Sequence, residues 1–158
     1  MKTILTTPLN AWHAGHGGQM VEFGGWDMPI QYAKGIVQEH LLTRKEAGLF
    51  DVSHMGRFVF RGNDTLAFLQ HVLTNNAAAL EPGESQYTLI PNEQGGAIDD
   101  AYLYRFEADE YLLVVNAANR DQDWQHLQAQ LTKFSMVEMI DQTDTLSMIS
   151  LQGPMSKQ

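Results

Sequence analysis

The chain contains no cysteine, which excludes disulfides, thiolate metal centres and a cysteine nucleophile, and it fits a reducing compartment such as the cytoplasm. Positive charge is scarce. Ten Lys and Arg stand against nineteen Asp and Glu, for a formal net charge of -9. A surface of that sign repels phosphate backbones and anionic lipid alike, so neither nucleic acid nor a membrane is expected as a partner. Long apolar runs are missing: no stretch approaches the roughly 20 residues needed to span a bilayer. The opening Met1-Lys2-Thr3-Ile4-Leu5-Thr6-Thr7-Pro8 has no sustained apolar segment of the secretory-signal kind.

Three tempting chemical motifs also lack their context. Gly15-His16-Gly17-Gly18 precedes a strand instead of joining a strand to a helix, as a phosphate loop must. His13 and His16, the closest pair among the six histidines, have no acidic or sulfur partners nearby in sequence, so no metal is expected. Ser53-His54 would need a third group from elsewhere to form a nucleophilic triad.

What remains is the composition of a globular protein: 158 residues, 44% hydrophobic and 18% charged. A compact unit of this size buries roughly two-thirds of its unfolded surface, enough for a core. The first thirty residues, rich in Gly, His and Trp, read as an irregular opening with one short strand at Met20–Phe23, a turn at Met28-Pro29 and Trp26 as an apolar anchor. Ile36, Val37, Leu41, Leu42 and Ala47 recur at helical spacing between Gly35 and Gly48, a helix of about three to four turns. Arg57–Arg61 alternates as a strand, and Gly62-Asn63-Asp64 supplies a turn and an N-cap. Leu66, Phe68, Leu69, Val72 and Leu73 then form the apolar face of a second helix.

Strands at Tyr87–Ile90, Ala97–Phe106 and Tyr111–Val115, joined by short loops, predict an antiparallel meander. Asn119 and Asp121 can cap a third helix running through Trp124, Leu127 and Leu131, with further strands at Met136–Ile140 and Leu146–Leu151. The fold class is α+β, an antiparallel sheet with packed helices. Strand alternation puts Ile98, Asp100, Tyr102 and Tyr104 on one face and Asp99, Ala101 and Leu103 on the other. From the residues alone, the Asp99-Asp100 pair reads either as a functional carboxylate beside tyrosines or as solvated charge protecting a sheet edge. Tyr87 and Tyr104 read as partly buried sheet residues or as ring platforms, and Met55 as packing or as a ligand contact.

Four blocks stand in order along the chain. The first is Thr7-Pro8-Leu9 with Trp12-His13 and Val21-Glu22-Phe23-Gly24-Gly25-Trp26-Asp27-Met28-Pro29-Ile30-Gln31-Tyr32. The second is Glu39-His40 with Arg44 and Ala47-Gly48-Leu49-Phe50-Asp51-Val52-Ser53-His54-Met55-Gly56. The third is Gln86-Tyr87-Thr88-Leu89 with Asn92-Glu93-Gln94-Gly95-Gly96-Ala97-Ile98-Asp99-Asp100. The fourth is Tyr111-Leu112-Leu113-Val114-Val115-Asn116-Ala117-Ala118-Asn119-Arg120. In these blocks the chain resembles the amino-terminal part of the glycine cleavage T-protein, or aminomethyltransferase, family.

The resemblance implies a ferredoxin-like aminomethyltransferase folate-binding fold, incomplete at this length. Residues 1–50 would be the opening segment and helix of a first interleaved domain, 51–140 the α+β folate-binding portion, and 141–158 a truncated return to the first domain. It implies transfer of a one-carbon unit from the aminomethyl-lipoyl arm of an H-protein to tetrahydrofolate, a co-substrate, with release of ammonia. On matching positions it implies folate contacts from Met55, Tyr87, Asp100, Tyr104, Val114 and Asn116, with Asp100 the central catalytic carboxylate.

The family is more than twice as long as this chain, and Ser150-Leu151-Gln152-Gly153-Pro154 leads in relatives into the rest of the fold. A shorter chain is expected to leave sheet edges and apolar surface uncovered, hence to self-associate or need a companion chain, and to depend on the missing half for activity. The alternatives are a folate-binding module without transfer activity and a folate-dependent demethylase fragment acting on methylated sulfur or amine compounds. The related iron-sulfur maintenance proteins are distinguished by a motif that would lie beyond this length.

Overall fold

The computed structural model describes residues 3–157, and the chain divides into two compact units. One comprises the chain up to His54 together with the residues from Leu146 on, and the other runs from Met55 to Thr145.

The Met55–Thr145 unit is built on five strands: β5 (Gly56–Arg61), β6 (Ser85–Pro91), β7 (Ala97–Glu107), β8 (Glu110–Val115) and β9 (Glu138–Asp141). They pair in the order β6-β7-β8-β5-β9, with every pairing antiparallel. The expected meander is therefore β6, β7 and β8, with the earlier β5 added at its edge. Two helices, α3 (Thr65–Val72) and α4 (Arg120–Leu131), pack on one face of this sheet. Phe68, Leu69 and Val72 of α3 and Leu127 of α4 meet Phe58, Phe60, Leu103, Leu113 and Val115 in a single core. Helical spacing on one side and period-two spacing on the other bring these apolar sets together. The Phe68 ring lies between Phe60 and Phe134, at centroid distances of 5.6 and 5.4 Å, and Trp124 meets Phe58 edge-on at 5.0 Å.

Several local expectations change. β5 is buried along most of its length instead of alternating, because its position between β8 and β9 encloses it and because Arg57 finds acceptors. The Arg57 guanidinium donates to the Thr143 and Met55 carbonyls. Asp64 occupies the N-cap of α3, but its carboxylate does not cap it; it accepts instead from the Met136 N–H at 3.0 Å. Gly62 makes this crossing possible: its φ is 118°, and a Cβ there would strike the Met136 carbonyl. Ile98 leaves the face assigned to it. The ladder passes from the Pro91–Ala97 pair to the Ile90–Asp99 pair, so Ile98 is the extra residue of a bulge and packs against the core.

In the other unit the opening is ordered, not irregular. β1 (Leu5–Thr6), β2 (Gln19–Phe23) and β3 (Trp26–Gln31) form a sheet of order β1-β3-β2, with a short helix α1 (Asn10–Gly15) between β1 and β2. The expected turn at Met28-Pro29 lies inside β3. Proline is tolerated there because β1 pairs only with Trp26 and Asp27, and because the β2 register shifts beside the Met20–Pro29 pair. Trp26 and Met28 are buried as core.

The helix α2 (Ile36–Lys45) starts at Gly35, whose φ is 78°. β4 (Gly48–Asp51) pairs antiparallel with β10 (Ile149–Gln152). The expected apolar face of α2 exists but is not covered: none of its residues is buried, and Val37 is 69% exposed. Leu49 of β4 is likewise 70% exposed.

Phe68 is completely buried between two aromatic rings, so Phe68→Ala deletes both ring contacts and leaves a cavity. It is expected to destabilise the Met55–Thr145 unit by about 3–5 kcal/mol. Urea unfolding followed by tryptophan fluorescence measures the change, and a loss under about 1 kcal/mol would show that the core collapses around the gap.

Candidate functional site

The face of the five-stranded sheet opposite α3 and α4 carries the candidate site. The ladder registers generate it directly. Tyr87 of β6, Tyr102 of β7, Val114 of β8 and Arg57 of β5 are lateral neighbours in one row. Ser85, Tyr104, Leu112, Val59 and Ile140 make the next row. Asp100, two residues before Tyr102, pairs with Leu89 and lies diagonally beside Tyr87. The three tyrosine rings and Asp100 are exposed, whereas Asp99, Ala101 and Leu103 face the core. The Tyr102 and Tyr104 rings sit 5.1 Å apart with their planes tilted by 50°.

Hydrogen bonds fix the acidic end of this face. The Asn116 side-chain amide donates to Asp99 Oδ1 at 2.9 Å and to Asp100 Oδ1 at 2.9 Å, and also approaches the Asp100 carbonyl at 3.3 Å. The Tyr87 hydroxyl is near the Asp100 carboxylate, and its interaction with Asp100, then burial and the Asp100 and Asp99 charges, raise the Tyr87 phenol above its ordinary range. Burial, followed by Tyr102, raises Tyr104 in the same direction.

Asp99 points inward and is satisfied there. It accepts from the Asn116 backbone N–H at 3.2 Å, from the Asn116 amide, and from the Asn119 amide at 2.9 Å. Burial alone would raise this carboxyl, but side-chain hydrogen bonds from Asn116, Asn119 and Asp123 and the Asn116 backbone bond outweigh it, so its pKa lies below the ordinary value. Asn119, expected as a side-chain cap, occupies the N-cap of α4 without capping it; its Nδ2 donates to Asp99 instead.

Of the residues singled out from sequence, Tyr87, Asp100, Tyr104 and Asn116 thus lie on or at the margin of one surface. Val114 is in the same row as Tyr87 and Tyr102 but is largely buried. Met55 is half-buried just before β5, where its carbonyl takes the Arg57 guanidinium. Tyr102 belongs beside them on geometry, and strand alternation already signals it. Asp99, Asn119 and Asp123 were not singled out as parts of the site. Asp123 left a sequence signal, since it shares a helix face with the buried Leu127 four residues on, and a charge on an apolar stripe needs a buried partner.

A second polar cluster lies in the other unit. The ring of His13 contacts the Tyr32 hydroxyl through Nδ1 at 2.5 Å and the Asp51 carboxylate through Nε2 at 3.0 Å. His16 instead stacks on Trp12 at 4.1 Å, so the two histidines do not converge. Among the described residues no group of three or more His, Asp or Glu is arranged to hold a metal ion.

Comparison with known proteins gives this surface its context. Residues 9–158 match the GCVT N-terminal domain family. The chain belongs to that family. Over 148 residues it is 49% identical to an aminomethyltransferase from Deinococcus deserti, covering 94% of this chain and 41% of that protein. An aminomethyltransferase from Thermus thermophilus is 50% identical over 148 residues, covering 94% of this chain and 42% of that protein. The crystal structure of glycine cleavage system aminomethyltransferase T from Bartonella henselae superposes with a TM-score of 0.89 at 35% identity, over 97% of this chain and 42% of that one. This GCVT-domain chain therefore spans about two-fifths of the length of the curated relatives it matches.

Removing a donor from the buried Asp99 carboxylate leaves a charge short of a partner. Asn119→Ala is expected to destabilise the Met55–Thr145 unit by about 1.5–3 kcal/mol at neutral pH. The folded pKa of Asp99 is depressed, so its contribution is present above the unfolded value of about 3.9 and is lost as pH falls through the folded value. Chemical unfolding at pH 7 and again in acid should show the difference between wild type and variant shrinking at the lower pH.

Proposed function

We propose that this chain provides one wall of a tetrahydrofolate site and takes part in aminomethyl transfer, passing a one-carbon unit from the lipoyl arm of an H-protein to the folate as ammonia is released. The observation that carries this reading is the exposed Tyr87, Tyr102 and Tyr104 surface beside an Asp100 carboxylate held by Asn116. Family membership and the aminomethyltransferase relatives support it. A pterin is flat and presents ring nitrogens at its edge. The tyrosine rings supply apolar and stacking area for its face, and a carboxylate fixed at the margin accepts from an edge N–H.

In this reading Asp100 does the chemical work of the wall. It positions the folate, takes a proton from a reacting nitrogen or stabilises positive charge that develops on it as the carbon transfers. Asn116 holds Asp100 in one orientation, so little reorganisation is left to the moment of reaction. Val114 and Met55 complete the apolar border. A binding module without transfer activity would use the same surface, and methylenetetrahydrofolate formation in the presence of H-protein separates the two.

The first test is calorimetric titration of the chain with tetrahydrofolate, using wild type and Asp100→Ala. Binding that weakens at least tenfold in the variant is expected, the loss of about 1.4 kcal/mol or more that removal of a charge-assisted bond implies. Equal binding by the two proteins would remove Asp100 from the site. No binding by folded wild type would mean that this wall alone does not hold the folate.

The partner reading has its own observation. Ile36, Val37, Leu41, Leu49, Phe50 and Leu151 are all exposed in the unit that contains α2, β4 and β10, an unusual load of uncovered apolar side chains. We infer that further polypeptide packs on them, and that the 158-residue chain by itself supplies it from a second copy. Light scattering is expected to give a dimer or larger species, and a stable monomer would overturn this.

A further inference from the structure

Beneath the tyrosine face lies a carboxyl that the folate reading does not use. Asp123, in the first turn of α4, is fully buried, and neither of its carboxyl oxygens has a hydrogen-bond donor among the described residues when it is counted as an ionised carboxylate. Its neighbour Asp99 is in the opposite condition, with three N–H donors. Asp99 of β7 lies beside Asp123, the Asp100 charge on the other face of the same strand adds to its field, and among the described residues no cation offsets them. Arg120, one turn earlier on α4, is occupied by Asp141 at 2.8 Å and Asp144 at 3.2 Å.

Two ionised carboxylates side by side away from water are not a sustainable arrangement. A single proton on Asp123 removes one charge and creates the missing hydrogen bond, with the Asp123 O–H donating to Asp99. The donors are distributed to match, since all the N–H groups point at Asp99, which stays ionised. Burial first, then the Asp99 hydrogen bond and the Asp99 and Asp100 charges, push the Asp123 carboxyl up to about 8.

We propose that Asp123 is a positioning residue, a neutral buried acid whose proton, donated to Asp99, holds that carboxylate in the orientation that directs the Asn116 amide onto Asp100. The proposal rests on the folate reading only for the use that Asp100 is put to; the proton and the amide orientation are properties of the ligand-free chain. It follows that raising the pH strips the proton from Asp123, places a second charge beside Asp99, and loosens Asn116 from Asp100.

The test is a pH titration of the ligand-free 158-residue chain by NMR, following the Asn116 side-chain amide resonances in wild type and in Asp123→Asn, which keeps an N–H donor for Asp99 without a titrating proton. In wild type the resonances are expected to shift with a midpoint near 8; in Asp123→Asn they are expected to stay at the low-pH position throughout. Thermal unfolding gives the second readout. Because the folded pKa is raised above the unfolded value of about 3.9, the stabilisation is fully present below that value and is lost as pH rises through about 8. Wild type should therefore lose melting temperature between pH 6 and 9, and the variant should lose less.

Wild-type Asn116 resonances that do not move across this range would overturn the proposal, with no variant needed. So would resonances that titrate identically in Asp123→Asn, or equal losses of melting temperature. Should the titration come out as expected while Asp100→Ala binds tetrahydrofolate as tightly as wild type, Asp100 leaves the folate reading and the positioning role of Asp123 in the ligand-free chain stands.

Discussion

Two adjacent aspartates on an extended strand must point in opposite directions, and much of the Met55–Thr145 unit is organised around that constraint. Asp100 emerges on the tyrosine face; Asp99 enters the side that α3 and α4 cover. A carboxylate turned inward demands donors, and the nearest available are at the point where β8 ends and α4 begins. Asn116 and Asn119 flank that junction, and both give their amides to Asp99. The start of α4 is thereby tied to the beginning of β7. The same Asn116 amide spans both carboxylates, so the bond that satisfies the inner one also orients the outer one.

This arrangement explains why Asn119 forgoes ordinary capping. A side-chain cap contributes about 1 kcal/mol to a helix start, whereas an unpaired buried carboxylate is several times more unfavourable, so the side chain is oriented to bring its Nδ2 to Asp99 and its Oδ1 makes no cap. Asp64 shows the same competition at α3. Its carboxylate accepts from Met136 across the turn made by Gly62, and the helix begins without its help. In both cases the residue type at the helix start is a conventional N-cap choice, but tertiary contacts claim its side chain.

The features legible in the sequence are those set by short-range period. Meander strands β6, β7 and β8 follow from alternation and turn residues, α3 from its apolar stripe, and the outward set Asp100, Tyr102 and Tyr104 from the pleat. Ile98 was misplaced because the bulge opposite Pro91 adds a residue that no two-residue period contains. The opening segment was misread because β1 and β3 pair in parallel across some twenty residues, and neither strand carries a strong pattern of its own. For α2, spacing predicted a helix correctly but could not say what would cover Ile36, Val37 and Leu41, which stand exposed. Asn116 could be singled out by resemblance; its bridging geometry depends on a contact with β7 that spacing does not encode.

A tyrosine surface on an open sheet touches a flat ring from one side, and this shapes what such a wall can contribute. Stacking area is half what an enclosed slot would give, so the wall's strength as a binding surface is limited, and its value lies in orientation. The elements of that orientation are already in place: the tyrosines stand on paired strands, and Asp100 is restrained by Asn116. A carboxylate fixed before the ligand arrives is most effective when the opposite side is closed and water is excluded, since its field is then least screened. The relatives have more than half their length beyond the region shared with this chain. In the folate reading proposed above, the division of labour is between this preorganised surface, which sets the angle of approach, and a covering part, which sets the dielectric.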